Sequence, residues 1–149
     1  MAEHLFVLEP GIWTGEGKIQ LNMFEDELNF LTRWDSSMVN GQGFIECIQE
    51  VQVKGVSDIM HNQFSFFDIT PTQFSVQLEN IALGKVTGKG LISSKVLAWE
   101  FRVPSLGFEG FEFYEKQSDG SYLMRAEYST SDEYRTLIRG RLYKQKNEN

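Results

Sequence analysis

The sequence predicts an all-β fold, a single antiparallel up-and-down β-barrel of about ten strands. Three observations carry this. Apolar side chains recur at every second position through most of the chain, the mark of strands with one buried face, because successive side chains point to opposite sides. Turn-forming clusters interrupt these runs at short, even intervals. No window of about a dozen residues carries the i, i+3, i+4, i+7 apolar spacing of an amphipathic helix.

The first strand is placed at 12–21, opened by Gly11-Ile12-Trp13 and stopped by the cluster Asn22 to Asp26. The second, 26–35, runs into the turn Asp35 to Gly41. In the third, 43–53, Ile45, Cys47, Val51 and Val53 form the core face, while Glu46 and Glu50 face solvent. Lys54-Gly55 leads to the fourth, 56–69, where Asp58, Met60, Asn62, Phe64 and Phe66 share a face and His61 lies on the other. Thr70-Pro71-Thr72 precedes the fifth, 73–81, in which Phe74, Val76 and Leu78 alternate with Gln73, Ser75, Gln77 and Glu79. Leu83-Gly84 precedes the sixth, 84–93, whose Gly88 and Gly90 mark a bend or room for a neighbouring ring.

In the seventh strand, 96–103, Leu97, Trp99, Phe101 and Val103 alternate with Ala98, Glu100 and Arg102. Pro104-Ser105 separates it from the eighth, 107–117, which carries rings on both faces. Ser118-Asp119-Gly120 is hairpin chemistry, since Gly120 can take the positive φ such a turn needs. The ninth, 121–130, sets Tyr122, Met124, Ala126 and Tyr128 against Ser121, Leu123, Arg125 and Glu127. After Ser131-Asp132, the tenth, 133–144, separates Tyr134, Ile138 and Leu142 from Arg135, Arg139 and Arg141. Residues 1–10 form an N-terminal segment with one short turn between Glu3 and Leu8, and 145–149 a frayed polar tail.

Such a meander must hide its edge strands, and closure into a barrel removes them. A β-sandwich would need longer crossovers than these short connections supply. The 149 residues suit one domain, 1–149, and a chain this long buries a core without a disulfide or metal. Fourteen Lys and Arg against twenty-one Asp and Glu, a net charge of −7, leave no electrostatic footprint for nucleic acid or an anionic membrane. Cys47 stands alone, and His4 and His61 are the only histidines, so neither a metal centre nor a cofactor is expected. The start lacks a basic region and its apolar run, Leu5 to Leu8, is short for a signal peptide. No stretch reaches the roughly 18 apolar residues of a membrane span, so a soluble, cytoplasmic protein is expected.

Gly11-Ile12-Trp13 on the first strand, taken with an arginine-bearing last strand, resembles the calycins, the superfamily of lipocalin, fatty-acid-binding and nitrobindin-like barrels. The resemblance implies that Trp13 closes the barrel floor, with Arg139 or Arg141 stacked on its ring through a cation–π contact. Gly140-Arg141-Leu142-Tyr143-Lys144 also resembles the Arg-x-Tyr strand of fatty-acid-binding proteins, which implies that Arg141 and Tyr143 hold a ligand carboxylate. Those proteins insert a helical lid between the first two strands, where this chain has a hairpin around Asn22 to Glu25. Haem-binding nitrobindin-like barrels use a C-terminal histidine, and residues 133–149 contain none, so haem is not expected.

The leading functional expectation is a small hydrophobic or amphipathic ligand held inside the barrel. Trp34, Phe64, Phe66, Trp99 and Tyr128 would line it, with Arg139, Arg141 and Tyr143 as a polar anchor for an anionic head. Trp13, Trp34 and Trp99 also read simply as core. An alternative is a barrel enzyme of cyclase, isomerase or chromophore-lyase type, using an inward acid such as Asp58 or Glu112. Another is a solid barrel that forms a homodimer through outer rings among Phe64, Phe66, Phe67, Phe108, Phe111, Phe113 and Tyr114. Arg125 reads as an outward partner of Glu127 or as an inward anchor. Cys47 reads as a small core residue, and Asn62 as a pocket candidate. The run Gly84 to Gly90 lacks the spacing of a phosphate loop.

Overall fold

The computed structural model describes residues 4–131 and 134–146. Ten strands run β1 (Gly11–Leu21), β2 (Leu28–Ser36), β3 (Ile45–Val53), β4 (Met60–Phe67), β5 (Gln73–Asn80), β6 (Gly84–Ile92), β7 (Val96–Val103), β8 (Phe108–Lys116), β9 (Tyr122–Ser129) and β10 (Arg135–Lys144). Each pairs antiparallel with the next, and β1 pairs with β10 from Trp13 opposite Lys144 to Leu21 opposite Thr136. The result is a closed barrel, as the even turn spacing predicts. The expected start of the last strand at 133, part of the Ser131-Asp132 turn, and residues 147–149 of the expected tail lie outside the described residues.

Two local departures have physical causes. The fourth strand begins at Met60 rather than 56, because the turn at Gly55, with φ of 91°, carries the loop on to Ile59. That leaves Asp58 exposed in a loop, which removes it as an inward acid. Pro104–Leu106 forms a single 3-10 turn, started by the fixed φ of Pro104 and ended by Gly107 in the left-handed region at 63°.

One end of the barrel is plugged by the N-terminal segment. Phe6 and Val7 are fully buried there. The Phe6 ring meets Trp13 at 5.5 Å, Trp34 at 5.2 Å, Tyr114 at 4.7 Å and Tyr122 at 5.5 Å between centroids. Buried His4 ties the segment down. Its Nε2–H donates to the Ser93 carbonyl at 2.6 Å, so its Nδ1 accepts from the Tyr122 hydroxyl at 2.6 Å. Val7 sits at φ of 52°, a left-handed conformation that a β-branched residue rarely adopts. The Ser36 hydroxyl donates to its carbonyl at 2.8 Å and holds it in place. Above the plug, Trp34, Phe64, Phe66, Phe74, Trp99 and Tyr114 fill the interior, with the Phe74 ring seated where a side chain on Gly90 would stand. Gly90 is therefore room for a ring, as its strand position suggests.

Candidate functional site

The other end is built differently. The inward-facing Ile19, Val51, Val53, Val103, Tyr128 and Ile138 are only partly covered there, and pack down onto buried Phe30, Phe101 and Phe108. Each of the five loops around this mouth exposes an apolar side chain: Met23 and Phe24, Val56 and Ile59, Ile81, Leu106, and Tyr134. Scattered exposed apolar residues are ordinary, but a set gathered round one opening marks a surface suited to an apolar partner. A recess of about 780 Å³ lies beside this rim on the outer wall of β1 to β3, between the outward-facing Glu16, Lys18, Asn29, Leu31 and Gln52 and the loop residues Lys54 to Val56.

The polar residues of the mouth fall into two groups. Along β2 to β5, Gln49 donates to the Thr32 hydroxyl at 3.1 Å, Asn62 to Gln49 at 2.9 Å and Asn80 to Asn62 at 3.0 Å. Thr32 donates to the Glu50 carbonyl at 2.9 Å, and Asn80 accepts from the Leu83 amide at 2.7 Å. This ladder satisfies its own members across four strands, so Asn62 is committed to structure.

The second group centres on Glu112 of β8, which strand parity turns inward and which is 5% exposed. The Tyr114 and Tyr128 hydroxyls donate to its two carboxyl oxygens. Burial pushes the Glu112 carboxyl above the usual carboxylate range, against the opposing pull of the two phenols. The Trp99 indole N–H acts in the same direction as the phenols without reaching hydrogen-bond geometry. Burial and the adjacent carboxylate raise both phenols well above the ordinary tyrosine value. Tyr128 itself is only half-buried, so it stands between Glu112 and the mouth. Its ring occupies the gap left by Gly110, whose absent side chain would otherwise meet it at 2.1 Å. Among the described inward-facing strand residues Glu112 is the one acid, and the two inward-facing lysines, Lys116 and Lys144, lie at the plugged end.

The residues singled out from sequence divide accordingly. Trp34, Phe64, Phe66 and Trp99 do converge, with Trp34 and Phe64 4.9 Å apart and Phe66 and Trp99 5.3 Å apart. They pack on one another as core, and Tyr128 is the member that reaches the mouth. The expected interior anchor is corrected: Leu142 is buried, so the alternation of β10 turns Arg139, Arg141 and Tyr143 to the outer face. Arg139 forms a two-bond ion pair with Glu27 there, one bond at 3.1 Å. It lies opposite Lys18, while Trp13 lies opposite Lys144, so Arg139 stands along the strand from the floor tryptophan. Trp13 instead packs edge-on with Phe6 and with Tyr122 at 5.4 Å.

Arg125 also points out, its guanidinium 4.8 Å from the Phe113 ring centre, rather than pairing with Glu127, which is held by Arg135 at 2.7 Å. Phe111, Phe113 and Phe67 lie on the outer face with it. His61 is exposed, 3.5 Å from Glu50. Cys47 is buried beside the Ser36 hydroxyl at 3.2 Å, and burial pushes its thiol up to about 12, far from a reactive thiolate. Among the described residues no cluster of His, Cys, Asp and Glu is placed to hold a metal, and no helix is long and apolar enough to cross a membrane. Sequence reading missed His4, Phe6 and Val7 as a plug. The run Leu5 to Leu8, too apolar for a free terminus, was its signal.

No protein-family model and no curated protein matches the chain. Solved structures share the fold, among them two of known source. The S-type phycobiliprotein lyase CPES from Guillardia theta superposes with a TM-score of 0.71 at 7% identity, over 93% of this chain and 89% of its own. Rv2717c from M. tuberculosis superposes with a TM-score of 0.71 at 13% identity, over 95% of each chain. The architecture is thus a closed ten-stranded antiparallel barrel, a fold it shares with both of these structures.

Proposed function

We propose that this protein binds a small apolar or amphipathic molecule in the open half of its barrel. The observation that carries this reading is the asymmetry of the two ends. One is sealed by Phe6 and Val7, while the other leaves Ile19, Val51, Val53, Val103, Tyr128 and Ile138 partly uncovered inside an apolar rim. Mouths of β-barrels are recurrent ligand sites, apolar with a few placed polar groups, and Glu112 with Tyr128 supplies such a group. A neighbour in fold is named as a lyase of phycobiliproteins, which fits a small-molecule role for this shape. A second reading, acid–base chemistry on the bound molecule, is favoured by one observation, the buried Glu112 carboxyl with its raised affinity for a proton.

The test is native mass spectrometry of protein purified from its source, alongside titration with an environment-sensitive apolar dye. Ile138→Trp, which fills the mouth from β10, is expected to abolish dye binding while leaving the thermal midpoint near that of the parent. Equal dye binding by parent and variant would overturn the proposed location.

A further inference from the structure

Resting on that reading, we propose that the molecule held in the mouth is cationic or presents an N–H donor, and that the Glu112–Tyr128 pair receives it. Among the described residues the Tyr114 hydroxyl has Glu112 as its acceptor, and the Tyr128 hydroxyl has the other Glu112 oxygen. A phenol has one proton to donate. With that proton committed to Glu112, the Tyr128 oxygen, buried beneath its own half-covered ring, keeps a lone pair able to accept from a ligand donor.

Behind it stands a carboxyl that, among the described residues, has no lysine or arginine paired with it: β10 directs Arg139 and Arg141 outward, and Arg125 lies over Phe113. A carboxylate buried without a cation is costly. A ligand ammonium or protonated ring nitrogen would supply the missing charge through short, charge-assisted bonds. A ligand carboxylate would meet lone pairs and a second negative charge instead. The ligand class expected from the resemblance to fatty-acid-binding proteins is thereby reversed in sign. The hydrocarbon part has the same place in either case, against Ile19, Val51, Val53 and Ile138, which carry no charge to discriminate.

The experiment compares dodecylammonium, dodecanol and dodecanoate by calorimetric titration at neutral pH, below their micelle concentrations, with the parent, Glu112→Gln and Tyr128→Phe. Dodecylammonium is expected to bind the parent roughly tenfold or more tighter than dodecanoate, the worth of one charge-assisted bond. The overall charge of −7 attracts any cation weakly, so the deciding readout is the variant. Glu112→Gln should bring the three affinities close together, whereas loss of one surface charge would hardly change them. Tyr128→Phe keeps the ring on Gly110 and serves the same purpose if Glu112→Gln fails to fold. Equal binding of all three compounds by the parent, tighter binding of dodecanoate, or an ammonium preference that survives in the folded variants would overturn the inference while leaving the binding mouth intact. Absence of binding by any of the three would overturn the mouth itself.

Discussion

Gly110 and Tyr128 face each other across β8 and β9, and the tyrosine ring occupies the space that any side chain at 110 would need. The glycine is what lets the Tyr128 hydroxyl reach Glu112. Gly110→Ala should push the ring out into the mouth and break that bond. Overpacking of this kind costs about 1–3 kcal/mol. The expected outcome is a lowered denaturation midpoint together with Tyr128 fluorescence and reactivity of an exposed phenol. An unchanged Tyr128 environment would show that the backbone yields instead.

Glu112 makes stability depend on pH in a definite direction. Its carboxyl binds a proton more tightly folded than unfolded, so its stabilising contribution is full below the ordinary carboxylate value of 4.5 and is lost as pH rises through the folded value. Glu112→Gln mimics the neutral form at every pH. The stability of the variant relative to the parent should therefore climb as pH rises from acid toward neutral in denaturant titrations. A difference that stays flat across that range would refute the assignment.

The plug is a large fraction of the core at its end of the barrel. Phe6→Ala removes a fully buried ring that touches four others, a change that costs about 3–5 kcal/mol. Chemical denaturation should show this loss, and increased hydrogen exchange should concentrate at the plugged end around Trp13 and Tyr122.

Arg139→Ala provides the contrast. The Arg139–Glu27 pair lies in solvent on the outer face, where ion pairs contribute little. The variant should keep its denaturation midpoint, lose at most a small salt-sensitive increment, and bind every mouth probe as the parent does.

The strands were legible because one rule governs them. A single buried position fixes the parity of its whole strand, and turn residues separate the strands. Closure followed from the shortness of the connections. Sidedness failed at β10 for a related reason. Arg139, Arg141 and Tyr143 share one face and Ile138 and Leu142 the other, which is plain in the sequence, yet the resemblance of Arg-x-Tyr to a ligand anchor set the arginines inward against that alternation. Glu112 was among the possible inward acids, but only the fold pairs it with Tyr114 and Tyr128 and removes Asp58 to a loop. The plug left only a faint trace, the apolar run Leu5 to Leu8, because nothing local to Phe6 reveals that Trp13, Trp34, Tyr114 and Tyr122 converge on it from four different strands.

The seam between β1 and β10 has a consequence for how the molecule is made. β1 gains one neighbour at once through its hairpin with β2, but its other edge, from Trp13 to Leu21, waits for residues at the far end of the sequence. During synthesis on the ribosome that edge stays open while β3 to β9 are laid down in order, and the Phe6 plug waits with it for Tyr114 and Tyr122. Long-range closure of this kind slows folding and leaves an unpaired edge available to other chains. Substitutions in β10 should therefore be felt first as aggregation of newly made protein, and only afterwards as instability of the finished barrel.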